Sequence, residues 1–357
     1  MAIADNPSDL CDLAHITSSR TDEKKNYPES WHLPVSAIDT DDLPHINLAD
    51  DSYAGAPDDH PLPAYRLDDS TWMLYGNIDT LNEENRGFNA NAGFIITGDG
   101  VIVIDTLGTP QLGRRMISTI RCITEQPIRY LIVTHNHPDH AYGAAAFQQL
   151  PDITIIAHKG TIDYNRSDTL QTSVNYRREM LPRDMQGFKP VSADEYISAG
   201  PYNSKRITLG DEIVDVYDTG QHHSYGDLVV HQVNQKILWI SDLACNQRTT
   251  YMGDGHSAQI LDAQHWLVET FPDTRLMVPG HGSAQSPPFS MVTRTGDYVS
   301  RMRDVMKKAV EDGTGMFDAV QQAEFDEWKD VPLYESNQKA NANFVYREME
   351  KAYFDDF

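Results

Sequence analysis

The residues best equipped for chemistry stand in one short run, Thr134-His135-Asn136-His137-Pro138-Asp139-His140. Three imidazoles and a carboxylate fall within six positions, in a chain that has 14 histidines among 357 residues. The run follows Tyr130-Leu131-Ile132-Val133, an apolar stretch that reads as a buried strand emptying into a loop. Side chains two apart on extended backbone point the same way, so His135 and His137 share a side. Asp139 and His140 come after the Pro138 turn and can face the same small volume from the other side. Nitrogen and carboxylate donors at this density suit divalent zinc, iron or manganese, and the spacing suits two cations held close together. The competing reading is a polar loop that happens to be rich in histidine, and the clustering argues against it.

Three later stretches supply donors of the same kind, each behind an apolar run. They are His222-His223-Ser224-Tyr225-Gly226-Asp227, Ser241-Asp242-Leu243 and Pro279-Gly280-His281-Gly282. Alone, a His or Asp at a strand end is more often a cap than a ligand. With the first run they make five histidines and two aspartates, about what two four- or five-coordinate cations require. Asp105 closes the run Val101-Ile102-Val103-Ile104 and reads equally as a helix cap or as a partner behind a ligand. His158 reads as a surface or capping residue.

Taken in order, these stretches resemble the metallo-β-lactamase-fold hydrolases over roughly residues 71–325. The first motif is highly specific in this setting, and the others carry weight as an ordered set. The resemblance implies an α/β fold, a four-layer αββα sandwich with the site at the sheet edge. It implies that His135, His137 and His223 hold one metal, that Asp139, His140 and His281 hold the second, and that Asp242 bridges them. The family pattern selects His223 over the adjacent His222, leaving His222 behind the ligands or facing substrate. Some members carry a cysteine on the second metal; here Asp242 takes that strand end, and Cys245 reads as a small buried hydrophobe. Asn91-Ala92-Gly93-Phe94-Ile95, Val103-Ile104-Asp105 and Ile128-Arg129-Tyr130-Leu131 resemble the bacterial metallohydrolases associated with sulfur oxidation and quinoproteins.

The expected activity is that of a hydrolase in which two Zn2+ ions activate a hydroxide for attack on a small ester, lactone or lactam, with β-lactamase activity among the candidates. Asp139 is the expected holder of the nucleophile and acceptor of its proton. Tyr225 could donate to a developing oxyanion, with packing as its other reading. The alternative is an oxidoreductase resembling the family's persulfide dioxygenases, which use one iron with two histidines and an aspartate. A role in assembly without catalysis conflicts with the intact ligand set.

Behind the site, the elements read as strands and then helix, given twice. The first half offers Thr71–Tyr75, a hairpin Ala92–Asp105 about Gly98-Asp99-Gly100, a helix Thr109–Ile123 with Leu112, Met116, Ile117 and Ile120 on one stripe, the Leu131 strand, a helix Tyr142–Leu150 and a strand Ile153–Ala157. Residues 159–200 read as an insertion able to roof a pocket. The second half offers strands around Ile207, Val214, Val229, Ile237 and Met277, with helices at Ala258–Thr270, Asp297–Glu311 and Asn341–Phe354. Two sheets face to face with helices outside accommodate this order. Residues 1–70 read as an acidic arm anchored by Trp31, Leu33, Val35 and Ile46, residues 71–325 as the fold domain, and 326–357 as its helical extension.

A net charge of −24 disfavours polyanionic partners, so nucleic acid and an anionic membrane surface are not expected, and the nucleases of this fold fit poorly. A small-molecule substrate remains. The three cysteines, Cys11, Cys122 and Cys245, are far apart and show no paired spacing, which suggests free thiols in a reducing, cytoplasmic setting. A homodimer through the arm or the last helix and a monomer fit the sequence equally.

Overall fold

The computed structural model describes residues 46–49, 60–198 and 200–355. One sheet carries β1 (Tyr65–Arg66), β2 (Thr71–Leu74), β3 (Ala92–Ile96), β4 (Val101–Ile104), β5 (Ile128–Val133), β6 (Thr154–His158) and β7 (Glu195–Ile197), side by side in chain order. Pairing is antiparallel from β1 to β4 and parallel from β4 to β7. The other sheet has β8 (Ser204–Leu209), β9 (Glu212–Asp218), β10 (Leu228–Gln232), β11 (Ile237–Ser241) and β12 (Leu276–Pro279), in the order β12-β11-β10-β9-β8. Its strands are antiparallel except for β11 with β12.

Parallel neighbours need a crossover, and the helices supply it. The helix α1 (Pro110–Ile123) links β4 to β5; the single turns α2 (Pro138–Ala141) and α3 (Ala144–Phe147) link β5 to β6. Next come α4 (Thr161–Tyr164) and α5 (Asp168–Met180) before β7, and α6 (Ser257–Thr270) between β11 and β12. The chain ends with α7 (Ser290–Glu311), α8 (Met316–Gln322) and α9 (Tyr334–Asp355).

Strand alternation decides the layers. Ile102 and Ile104 of β4, Ile132 of β5, Ile237 and Trp239 of β11 and Val278 of β12 share one buried cluster between the sheets. Their neighbours Val101, Val103, Leu131 and Val133 point the other way, onto α1 and α3. Leu238, Ile240 and Met277 likewise point away from the first sheet, onto α6, α7 and α9. The result is the four-layer αββα sandwich. Helix α1 shows how the outer layers hold: Thr109 caps it through Leu112 N–H, and Leu112, Met116 and Ile120 are buried. Such a cap contributes about 1 kcal/mol and each buried aliphatic side chain roughly 1.5–3 kcal/mol.

Several expectations needed adjusting. The helix expected at Tyr142–Leu150 shrinks to the single turn α3, because the Gly143 amide donates to Leu107 O instead of continuing the ladder from α2. Helix α7 begins well before Asp297: Met291, Val292 and Thr295 are buried, and their packing outweighs the low helix propensity of Thr293-Arg294-Thr295-Gly296. Helix α9 likewise starts before Asn341, at Tyr334. Strand β1 pairs Tyr65 with Met73, and Leu62 and Ala64 join the core, so the sheet reaches back before residue 71. Ile46 is buried in that core, whereas Trp31, Leu33 and Val35 lie outside the described residues. Cys122 is disulfide-bonded, while Cys245 is a free buried thiol, so the expectation of unpaired thiols fails at Cys122. The argument for a reducing compartment loses that support. Among the described residues no helix is long and apolar enough to cross a membrane.

The contact between the sheets is tight at Gly93, where a Cβ would come within 2.0 Å of the Trp239 ring. Gly93→Ala should therefore force the buried indole off its rotamer and cost about 1–3 kcal/mol. Urea denaturation should show a lower midpoint with an unchanged slope; equal midpoints would mean that the sheets can part without cost.

Candidate metal centre

The C-terminal ends of β4, β5, β11 and β12 open on one edge of the sandwich, and Asp105, Thr134, Asp242 and Gly280 follow directly on them. This shared edge brings the separated motifs together. His135, His137, His223 and Asp242 form one group, and Asp139, His140 and His281 a second, with one ligand atom of each residue within 4.8 Å of those of its group. Asp242 sits between the groups: its Oδ1 is 3.3 Å from His140 Nε2, and its Oδ2 is 3.1 Å from both His223 Nε2 and His281 Nε2. Gly280 is the only residue type that allows this approach, since a Cβ there would lie 1.9 Å from Asp242 Oδ1.

The remote nitrogen of nearly every imidazole is tied down, which aims the other one inward. Asp105 accepts from Thr134 N–H at 2.8 Å and from Thr134 Oγ1 at 2.8 Å, and faces His140 Nδ1 at 3.0 Å. Asp105 and Ser241 both hold left-handed backbone (φ 57° and 46°), a strained setting that these contacts stabilise. His135 Nδ1 is 3.1 Å from Ser241 Oγ and from Thr134 Oγ1. His281 Nδ1 donates to Asn89 O at 2.8 Å. His137 Nε2 donates to Asp254 Oδ2 at 3.1 Å, leaving its Nδ1 as the donor atom for the first group. The His223 loop closes on Asp227, whose Oδ2 accepts from His223 N–H at 2.9 Å and Ser224 N–H at 3.1 Å.

These side chains are of the kind that could hold metal ions. With both Nδ1 atoms donating outward, His140 and His281 present Nε2 to Nε2 at 3.4 Å. Nitrogens this close need a proton or a cation between them and Asp242; burial opposes charging His140, but Asp242 and Asp105 outweigh it and raise its pKa well above the imidazole range. His135 Nε2, His223 Nε2 and Asp242 Oδ1 are buried without a hydrogen-bond partner, and buried polar atoms in proteins are seldom left so. The same crowding shapes the charges. Burial opposes ionising Asp242, but His281, His140 and His223 outweigh it and hold its pKa well below the carboxylate range. Burial, followed by His140 and His137, keeps His135 neutral, the form a ligand needs. Burial would raise the Asp139 pKa, yet His140, His281 and Arg177 bring it down to about 2.

A cavity of about 330 Å³ lies over the two groups, walled by Leu81, Asn89, Tyr164, Thr169, Ser173, Arg248, Tyr251, Asp254 and Leu333 among others. Thr169 and Ser173 come from α5, so the 159–200 segment does contribute to the wall. Helix α9 holds the opposite wall: Asn337 Nδ2 donates to Thr249 O at 3.0 Å, and Asn341 takes Met252 N–H at 2.9 Å and donates to Thr250 O at 2.8 Å.

Asp105 stands behind His140, its Oδ2 3.0 Å from His140 Nδ1. His222 is buried against Thr219 Oγ1 at 3.1 Å and is not among the described residues that line the cavity. Nor is Tyr225, whose hydroxyl lies 3.3 Å from Thr169 Oγ1 and whose ring packs edge-on to Tyr164; the tyrosines of the wall are Tyr164 and Tyr251. His158 is buried rather than on the surface, taking Gly160 N–H at 3.0 Å and facing Asp218 at 3.3 Å. Sequence reasoning missed Asn89, Arg248 and Asp254, which lie in irregular loops with no periodic or ligand spacing to mark them.

Asp105→Asn puts an amide donor where His140 and Thr134 already donate. Divalent-cation affinity, measured by competition with a chromophoric chelator, should fall about 10–100-fold while circular dichroism stays that of the wild type. Unchanged affinity would show that Asp105 does not orient His140.

The metallo-beta-lactamase superfamily model matches residues 85–281. A metallo-beta-lactamase type 2 from Elizabethkingia meningoseptica is 22% identical over 245 residues, 68% of this chain and 86% of that protein. A metallo-beta-lactamase from Pontibacter korlensis superposes with a TM-score of 0.53 at 17% identity, covering 66% of this chain and 98% of the other. A stereoselective inverting sec-alkylsulfatase from Pseudomonas sp. gives a TM-score of 0.63 at 16% identity, covering 80% of this chain and 50% of the other. At such identities the solved structures speak for the fold alone. With the family match spanning more than half its length, the chain belongs to the metallo-beta-lactamase superfamily of metal-dependent hydrolases.

Proposed function

We propose that this chain is a dinuclear zinc hydrolase acting on a small ester, lactone or lactam. The observation that carries the reading is the pair of opposed Nε2 atoms of His140 and His281, with Asp242 beside both. In this reading His135, His137 and His223 hold one cation, Asp139, His140 and His281 the other, and Asp242 contacts both. Bound, the pair would supply Lewis acidity and lower the pKa of a water from about 15.7 to about 7.

The protein's own part is positioning. Asp139 is ionised at neutral pH and its carboxylate borders the cavity, 3.5 Å from Asn89 Nδ2. A carboxylate this acidic accepts a hydrogen bond from an attacking water and orients it more readily than it removes the proton. Leu81, Leu333 and Tyr251 offer apolar surface to the body of a substrate and displace solvent from the reacting centre. The similarity to the metallo-beta-lactamase type 2 supports compact ester or amide chemistry.

Purified chain, stripped of metal and titrated with zinc, should take up two equivalents and gain hydrolysis of chromogenic lactam, lactone or ester substrates; a chelator should abolish it. One equivalent of iron with oxygen consumption on a persulfide would instead establish the oxidoreductase reading. Asp139→Asn should lower kcat by about 10²–10⁴-fold, and His137→Ala should remove turnover with the fold intact. Full activity in the His137 variant would overturn the assignment.

A further inference from the structure

His158 and Asp218 form a buried pair that the chemistry described above leaves unused. His158 ends β6 in the first sheet and Asp218 ends β9 in the second, so their contact crosses the sandwich. His158 Nε2 lies 3.3 Å from Asp218 Oδ1, and neither residue is among the described residues that line the cavity. The tautomer follows from the neighbours. His158 Nδ1 accepts from Gly160 N–H at 3.0 Å, so the ring carries a proton on Nε2, facing the carboxylate.

Both residues bear on the loop of residues 219–227, which joins β9 to β10 and carries His223 at its middle. Asp218 Oδ1 accepts from Gly220 N–H at 2.9 Å and so fixes the first turn of that loop. Towards its other end the loop lies on the imidazole itself: a Cβ at Gly226 would come within 1.6 Å of His158 Nδ1. Bonds inside the loop set its shape. Thr219 N–H donates to Asp227 O at 3.0 Å, and Asp227 N–H to Gly220 O at 2.8 Å. Other contacts set its height over the first sheet. Leu228 N–H on Thr134 O, at 2.8 Å, ties the exit of the loop to that sheet, and the His158–Asp218 pair ties its entry.

That height matters because the first ligand group is drawn from both sheets. His135 and His137 follow β5, whereas His223 and Asp242 follow β9 and β11. Metal–ligand distances tolerate errors of only about 0.2 Å, which a loop held at one end does not meet. We propose that His158 is a positioning residue for the first ligand group: through Asp218 and Gly226 it sets the height of the His223 loop, and with it the affinity of that group for a divalent cation. This inference rests on the metal-dependent reading above and adds to it a residue outside the cavity.

The test measures the zinc affinities of the purified chain by competition with chromophoric chelators. His223→Ala identifies the affinity that belongs to the first group. In His158→Ala that affinity should fall about 10–100-fold, while the affinity of the second group changes less than about threefold. His158→Gln keeps an acceptor toward Gly160 and a donor toward Asp218, and should restore most of the loss. Asp218→Asn, which keeps the size of the side chain, should lower the same affinity and serves in place of the alanine variant if that variant does not fold. Added to His223→Ala, His158→Ala should change the residual affinity less than about threefold, because a residue that acts through His223 then has nothing to act on. Unchanged affinities, an equal fall at both groups, or the full effect persisting without His223 would overturn the inference. Chromogenic ester, lactone and lactam substrates are assayed alongside. Affinities that follow the expected pattern in a chain without turnover would overturn the hydrolase reading and leave His158 in its role. Turnover with zinc affinities indifferent to His158 would overturn this inference alone.

Discussion

The buried carboxylate of Asp242, within 3.3 Å of three imidazole nitrogens, is the contact on which the rest of the structure depends. Removing a charge from water is costly unless opposite charge and hydrogen bonds replace the solvent. The surroundings of Asp242 supply both. Each imidazole beside it comes from a different loop, so the carboxylate draws together the β5, β9 and β12 ends of two separate sheets. The absent side chain at Gly280 follows from the same contact, since a methyl group there would displace the carboxylate.

A second ring of residues keeps that arrangement from relaxing. Asp105, Asn89 O and Asp254 each occupy the outward nitrogen of one imidazole, and each comes from a segment distant in sequence from the histidine it holds. The strained backbone at Asp105 and Ser241 fits this picture, because a strand that must end in a turned carboxylate cannot continue as regular sheet. Arg177 adds a buried positive charge from α5 that helps keep Asp139 ionised, so the insertion acts on the site electrostatically as well as by forming its wall.

The peripheral helices complete the cavity. Helix α9 contributes few apolar anchors over its first turns and instead uses Asn337 and Asn341 to bond the loop that carries Arg248, Tyr251 and Asp254. A loop with so little regular structure is held in one conformation by side-chain amides on a rigid helix. The site therefore draws on the whole chain from Asp79 to Asn341, although its candidate ligands occupy only four short stretches.

The sequence by itself determined the ligand-bearing motifs, their order and the αββα layering. Dense donors after apolar runs have few other uses, and a strand's period of two assigns its faces without reference to partners. Asp105 was visible as a carboxylate at a strand end, but its choice between cap and support needed Thr134 and His140 in place. Only the tertiary structure decided that Tyr225 packs on Tyr164, that His222 turns away from the cavity, that Cys122 is oxidised, and that Arg248 meets His281. Those outcomes depend on contacts between segments far apart in the chain, where neither spacing nor composition records who meets whom.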